Sequence, residues 1–167
     1  MRSHIFIDGA NLYHALKDEG LTIDYAAIPA LLARITDSEL LRTSFYTGVP
    51  ENASGERLAF LERLESIPDF EVKTKPLQRR GDHFVEKGVD VLIATDMLWH
   101  GLKGYADHVI LVSGDADLVD AITRLMDNGV RVTVAMFERH ASRELIKTAD
   151  RYVDLSEHTN TLSRQDL

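Results

Sequence analysis

The sequence contains no cysteine, no long apolar run and fewer basic than acidic residues. Because cysteine is absent from the 167 residues, the chain forms no disulfide and no thiolate metal site. No stretch approaches the roughly 18 consecutive apolar residues of a membrane helix. The opening residues also lack the apolar segment of a signal peptide. We therefore expect a cytoplasmic protein that does not contact a membrane.

The net charge of the chain argues against one class of protein. The 27 acidic residues outnumber the 19 basic residues, which gives a formal net charge of -8. A protein that coats nucleic acid without sequence preference is normally basic, so the sequence argues against that class. The charge is still compatible with an enzyme that acts on nucleic acid. Such an enzyme can cluster carboxylates at a metal site and confine its basic residues to one part of its surface.

The motifs of several other common functional sites are also absent from the sequence. No phosphate-binding loop of the GxxxxGK[ST] type occurs. The seven histidines show no HxH or HxxxH spacing, so none is predicted to bind a metal. The sequence has no cysteine that could act as a nucleophile. It also has no serine, histidine and aspartate in the order of a catalytic triad, so neither kind of nucleophilic site is predicted.

Apolar runs alternate with helical patterns along the chain, which has the length of one domain. The patterns predict strands over 4–8, 40–49, 70–77, 108–114 and 130–137, with a short extra strand over 151–156. They predict helices over 11–20, 24–35, 52–67, 86–102, 116–129 and 142–150. Within the helix over 86–102, Met97 and Trp99 are predicted to be core residues. Strands that alternate with helices and read as continuous apolar runs indicate an α/β fold with a parallel sheet covered on both faces. Residues 1–156 are expected to form the domain, and residues 157–167 a polar tail.

Acidic residues follow two of the predicted strands. In "FIDGAN", Asp8 ends a buried strand and Asn11 opens a helix. In "VILVSGDADL", Asp115 and Asp117 follow the apolar run that ends at Val112. Each acid has an alternative role, because aspartate and asparagine are favoured helix caps. In open α/β sheets, however, sites form beyond the carboxyl ends of strands, near the point where strand order reverses.

A third acid, Asp90, lies inside an otherwise apolar stretch of "KGVDVLIATD". An unpaired carboxylate buried there would cost several kcal/mol, so it needs a cation, hydrogen-bond donors or solvent. The alternative is a first-turn acid that faces the positive end of its helix. Asp96 lies six residues further on and about 120° round the helix, so it need not share a site with Asp90.

Clustered carboxylates repel one another and raise one another's pKa unless a cation compensates them. Mg²⁺ and Mn²⁺ both accept carboxylate oxygens and water as ligands. Such a site suits metal-assisted hydrolysis of a phosphodiester. The predicted catalytic and metal-binding residues are Asp8, Asp90, Asp115 and Asp117.

The segments "IFIDGANLYHAL", "KGVDVLIATDML" and "VILVSGDADLVDAI…NGVRVTV", taken in this order, resemble the NYN domain. More narrowly they resemble its bacterial LabA-like branch, within the PIN-like nuclease superfamily. The resemblance runs from about His4 to Leu155. It implies a three-layer α/β/α sandwich with a mainly parallel, five-stranded sheet of order 3-2-1-4-5, in which the first and fourth strands are neighbours.

The resemblance also implies a Mg²⁺- or Mn²⁺-dependent ribonuclease that cuts single-stranded or structured RNA, with RNA as the partner. The family's acids match Asp8, Asp90, Asp115 and Asp117. Its asparagine and serine match Asn11 and Ser113, which are expected to support the site through hydrogen bonds. No expected acid is missing.

One segment of this acidic chain is basic. It precedes the Asp90 helix, and its cations are predicted to contact phosphate groups without sequence preference: they are Lys73, Lys75, Arg79, Arg80 and Lys87. The alternative is a solvated loop that keeps an edge strand soluble. His83 and Phe84, in the same segment, could stack on an unpaired base.

Two other functions fit the same acids. One is a non-catalytic module that binds RNA or a protein and acts as a regulator. The other is a phosphohydrolase that acts on small nucleotides. The sequence is also compatible with a homodimer, but no pattern in it locates a dimer interface.

Overall fold

A sheet of six parallel strands forms the centre of the molecule. The computed structural model describes residues 1–164. In chain order its strands are β1 (Arg2–Asp8), β2 (Glu39–Val49), β3 (Phe70–Pro76), β4 (Gln78–Arg80), β5 (His83–Val85), β6 (His108–Val112), β7 (Arg131–Met136) and β8 (Arg151–Asp154). The sheet has the order β3-β2-β1-β6-β7-β8, and β4 and β5 form a separate antiparallel hairpin.

Seven α-helices cover the two faces of the sheet within the described residues. They are α1 (Gly9–Glu19), α2 (Ala27–Thr36), α3 (Gly55–Glu65), α4 (Val89–Leu102), α5 (Val119–Asp127), α6 (Arg143–Thr148) and α7 (Thr159–Leu162). One buried cluster joins the sheet to α1, α2, α3 and α7, and the other joins it to α4, α5 and α6. The predicted three-layer α/β architecture is confirmed.

The central strands carry buried apolar side chains on both faces because both faces of the sheet are covered. In β1, Ile5 and Ile7 belong to one buried cluster and Phe6 belongs to the other. Their partners in β6 follow the same alternation, with Ile110 beside Ile5 and Leu111 beside Phe6.

The sheet has six strands rather than the predicted five. The first five in spatial order, β3-β2-β1-β6-β7, reproduce the predicted order, and β8 adds an edge strand beside β7. This edge strand is only four residues long, and Val153 is its one buried residue. Its weak apolar pattern explains why the sequence indicated only a short extra strand there.

The chain reverses its winding between β1 and β6. It runs outward from β1 through β2 to β3, returns to the other side of β1, and continues through β6 to β8. The carboxyl ends of β1 and β6 therefore lie side by side, as predicted, and sites in open α/β sheets form at such a reversal.

Two further details differ from the expectations. The segment expected to be a polar tail continues into α7, where Leu162 is buried and the bridge between Ser163 and Ile23 ties the segment to the domain. Residues 165–167 of the predicted tail lie outside the described residues. In α4, Met97 is buried as predicted, but the prediction for Trp99 is wrong, because its side chain is 55% exposed. Two residues along a helix amount to a rotation of about 200°, so both side chains cannot face the sheet.

Membrane-spanning helices are absent from residues 1–164, since none of the helices there combines the necessary length and apolar character.

Candidate functional site

Asp8 lies at the end of β1, where it caps α1. Its Oδ1 accepts a hydrogen bond from the main-chain N–H of Asn11 at 3.3 Å. Its Oδ2 accepts another from the hydroxyl of Ser113, which follows β6, at 3.2 Å. The carboxylate is therefore a helix cap and also bridges the two strands at the reversal of the sheet. The helix-capping role, predicted as the alternative to a site role, is therefore observed, and the capping carboxylate lies at the reversal of the sheet.

Asn11, in the first turn of α1, forms a second connection to the loop after β6, again as the acceptor. Its side-chain oxygen accepts a hydrogen bond from the main-chain N–H of Gly114 at 2.8 Å. Asn11 therefore fixes the loop after β6 against the first turn of α1.

The loop after β6 is held tightly by its own hydrogen bonds. The Ser113 hydroxyl accepts from the N–H of Asp115 at 3.1 Å, and Asp115 Oδ1 accepts from the N–H of Asp117 at 2.9 Å. Gly114 packs so closely against the main-chain carbonyl of His140 that a β-carbon has no room there. The loop thereby presents both carboxylates from a fixed backbone.

Asp90 approaches these acids from the other side of the site. It lies in the first turn of α4, directly after the turn at Gly88, whose φ of 84° suits glycine. Carboxylate oxygens of Asp90, Asp115 and Asp117 all lie within 4.8 Å of one another. We call these three residues the acid triad.

The structure thus places the four predicted acids in two connected positions. Three form the acid triad, and Asp8 is buried beside it, joined to Asp115 through the Ser113 hydroxyl. Among residues 1–164, no salt bridge involves any of the four. Their negative charge is therefore not neutralised by a protein cation in the described part of the chain.

Burial raises the pKa of the Asp8 carboxyl to about 6. Hydrogen bonds from the N–H of Asn11 and the hydroxyl of Ser113 lower this pKa, while the charges of Glu86 and Asp115 raise it. A bound cation would favour the ionised form of such a group.

Glu86 is a site residue that the sequence reasoning missed. Its carboxylate accepts a hydrogen bond from the N–H of Gly48 at the end of β2, at 3.2 Å. Burial raises its pKa, and the negative charge of Asp90 raises it further, against the lowering effect of the Gly48 hydrogen bond. The available signal was an acid four residues before Asp90 in "EKGVD", but only the folded chain brings it beside β2.

The structure separates Lys73 from the other predicted phosphate contacts. Its ammonium pairs with Asp96 at 2.7 Å and lies 3.8 Å from Glu71. Asp96 also accepts a hydrogen bond from the Tyr46 hydroxyl at 2.7 Å, so it belongs to a different cluster from Asp90. The other four basic side chains are exposed at the end of β3, on β4 and before α4, namely Lys75, Arg79, Arg80 and Lys87.

Sequence and fold both match known proteins over nearly the whole chain. Residues 2–156 match the NYN domain, which is a PIN-like nuclease family. The chain is 31% identical over 164 residues to the Low amplitude and bright protein LabA of Synechococcus elongatus, a match that covers 93% of this chain and 84% of that protein. It also resembles the crystal structure of a protein of unknown function from Vibrio parahaemolyticus, with a TM-score of 0.77, 28% identity and 92% of each chain covered. The acids at the reversal of the sheet and these matches agree with the motifs of the sequence: this chain belongs to the NYN domain family.

Proposed function

We propose that this protein is a metal-dependent ribonuclease that cuts RNA internally. The observation that carries the proposal is the acid triad, set beside the buried Asp8 at the reversal of a parallel sheet. Membership of a nuclease family supports the same chemistry.

The acids fit a hard divalent cation. Asp90, Asp115 and Asp117 would hold it through carboxylate oxygens, with Asp8 as the fourth acid of the site. Oxygen ligands of this kind suit Mg²⁺ or Mn²⁺, which keep several waters when they are bound by a few carboxylates. When bound, the metal would activate a water and neutralise the charge that develops on the phosphodiester.

The supporting residues fix the positions of these acids. Ser113 donates to Asp8 and accepts from the main chain of Asp115, so one hydroxyl sets the separation between the buried acid and the acid triad. Asn11 holds the N–H of Gly114 and thereby the start of the same loop. We assign both residues a positioning role.

RNA is the proposed substrate, and the exposed cations beside the site are its proposed phosphate contacts. These cations are Lys75, Arg79, Arg80 and Lys87, and their contacts would be independent of sequence and sensitive to salt. Lys73 is left out of this set because Asp96 holds its ammonium.

The test is cleavage of labelled single-stranded RNA, hairpin RNA and DNA in Mn²⁺, Mg²⁺ or EDTA. We expect the wild type to cut RNA only with a metal, and we expect Asp90→Asn and Asp115→Asn to lose this activity while keeping the wild-type circular dichroism spectrum. Asp120→Asn is the matched control, because Asp120 is an exposed acid on the adjoining helix and lies outside the acid triad. It should cut like the wild type.

Two results would contradict the ribonuclease proposal. A folded wild-type protein that cuts no substrate with any metal would favour the non-catalytic binding module. Release of phosphate from mononucleotides, with no cleavage of oligonucleotides, would favour the small-nucleotide phosphohydrolase.

A further inference from the structure

A cleft of about 340 Å³ opens beside the acids. Gly9, the residue after Asp8, lies in its wall, as does Glu86. The opposite wall comes from α3 and from the β4–β5 hairpin, which contribute Arg57 and Phe84. The cleft therefore adjoins the carboxyl ends of β1 and β2, on the side of the site away from β6.

Five tyrosine and phenylalanine side chains line the cleft. In the wall of the cleft, the partly buried rings of Tyr25 and Phe60 pack edge to face with their centroids 5.3 Å apart. At the rim, Tyr13 on α1 is 55% exposed and Phe84 on the hairpin is 56% exposed. Two aromatic side chains from different elements are thus largely open to solvent at the entrance of one cleft.

Polar groups lie at the inner end of the cleft in fixed positions. The Arg57 Nη2 donates to the Thr47 hydroxyl at 3.0 Å and to the Gly48 carbonyl at 2.8 Å, which holds the guanidinium plane against β2. The Glu86 carboxylate accepts from the N–H of Gly48. A guanidinium plane and a carboxylate, both held by Gly48, therefore line the same cleft as the exposed aromatic side chains.

The hairpin places a cation next to the rim. Arg79 and Phe84 are directly paired across β4 and β5, so their side chains emerge on the same face of the hairpin. A ligand that stacks on Phe84 would therefore have a guanidinium nearby for an attached phosphate.

We propose that this cleft binds one unstacked nucleobase of single-stranded RNA, next to the nucleotide whose phosphate reaches the acid triad. The inference rests on the proposed ribonuclease function and defines its substrate as RNA with an unpaired base. The volume is at the lower end of the roughly 300–1,000 Å³ of ligand pockets, which suits one base with its ribose rather than a duplex. Aromatic faces recognise unpaired bases through stacking, and this recognition tolerates any base.

The test measures binding apart from cleavage. The Asp115→Asn protein, in EDTA, is titrated into a fluorescently labelled oligoadenylate of ten nucleotides, and its dissociation constant is measured by anisotropy. Adding Tyr13→Ala or Phe84→Ala should raise that constant by about five- to 150-fold, since stacking on one side chain contributes about 1–3 kcal/mol per base. The matched controls are Tyr105→Ala and Trp99→Ala, whose side chains are 52% and 55% exposed and lie outside the cleft. They should leave the constant within twofold of its starting value.

Two further arms identify the source of the base. A perfectly paired RNA duplex should bind at least tenfold more weakly than the single strand. Adenosine monophosphate should compete only at concentrations far above those of the oligonucleotide, because it lacks the neighbouring phosphates. Equal affinity for the duplex, or for the mononucleotide, would overturn the inference.

The result also separates this inference from the proposed function. If the wild type cleaves RNA and neither Tyr13→Ala nor Phe84→Ala changes binding, the base cleft is wrong and the ribonuclease stands. If the oligonucleotide binds and both Tyr13→Ala and Phe84→Ala weaken that binding, but the wild type cuts nothing, the cleft is an RNA-binding site and the proposed cleavage is wrong.

Discussion

Replacing Asp8 by asparagine is expected to stabilise the metal-free protein at neutral pH. Asparagine is as good a helix cap as aspartate, and its side-chain oxygen can still accept from the N–H of Asn11. The Ser113 hydroxyl can accept from the new amide, because a hydroxyl oxygen has two lone pairs and uses one for the N–H of Asp115. The substitution therefore removes a buried charge and keeps the surrounding hydrogen bonds.

The magnitude follows from the pKa of Asp8. Burial raises this pKa from an ordinary value of 3.8 to about 6 in the folded protein. Because one pKa unit corresponds to about 1.4 kcal/mol, ionising Asp8 costs the fold about 3 kcal/mol. The Asp8→Asn variant avoids this cost, so about 3 kcal/mol is the upper limit of its gain at pH 7.5.

The sign of the pH dependence follows from proton linkage. Between pH 3.8 and about 6 the folded protein keeps a proton on Asp8 that the unfolded chain has released. The free energy of unfolding of the wild type should therefore fall as the pH rises through this window. Below it, aspartic acid and asparagine are both neutral, and the two proteins should be equally stable.

The assay is urea unfolding in EDTA at pH 3.5, 5, 6 and 7.5, read as the difference between variant and wild type. His4 and His108, whose pKa values burial lowers to about 3 and about 4, also titrate during unfolding in this range. They titrate in both proteins, so their effect cancels in the difference. Asp24→Asn is the control for the chemical change alone, since Asp24 is exposed and accepts from the N–H of Ala26 at 3.0 Å.

One outcome would refute the reasoning. If Asp8→Asn is less stable than the wild type at pH 7.5, and the deficit does not change with pH, the hydrogen bonds of the carboxylate outweigh its desolvation. Asp8 would then be mainly a structural cap.

Two further predictions concern the loop after β6 and the basic hairpin. Gly114→Ala should lower the free energy of unfolding by about 1–3 kcal/mol or more, because the alanine methyl group would overlap the main-chain carbonyl of His140. Gly55→Ala, at a position with open space, should change the free energy by less than about 0.5 kcal/mol in the same urea measurement. For RNA binding, replacing Arg79 and Arg80 together by alanine should reduce the slope of log affinity against log salt by about 1.4, since each phosphate contact to a single strand contributes about 0.7. Lys73→Ala should leave that slope unchanged, because Asp96 holds its ammonium. A reduction of about 0.7, the contribution of one phosphate contact, would contradict the exclusion of Lys73 from these contacts.

Much of the fold could be predicted because its signals are local. The apolar runs of the strands and the spacing of apolar residues in the helices need only neighbouring residues to be recognised. The order of the first five strands followed from resemblance to a known family and not from these patterns. Strand β8 was harder to recognise, because a four-residue edge strand with one buried side chain has almost no pattern of its own.

The candidate site was only partly predictable for the same reason. Asp8 and Asp115 follow apolar strands directly, so their placement at one edge of a parallel sheet could be inferred from the sequence. The partners of Glu86 and Lys73 could not, because they lie on other elements. Glu86 meets Gly48 of β2, and Lys73 meets Asp96 of α4.

The sequence by itself determined most helices, most strands of the sheet and the acids that end two of these strands, but not the β4–β5 hairpin. Only the tertiary structure decided which side chains share the site. The reversal of the sheet between β1 and β6 brings Asn11 to the loop after β6, and the packing of α1, α3 and the hairpin around β2 creates the aromatic cleft. Such contacts join residues tens of positions apart, and their geometry depends on strand order and helix rotation, which no short stretch of sequence specifies.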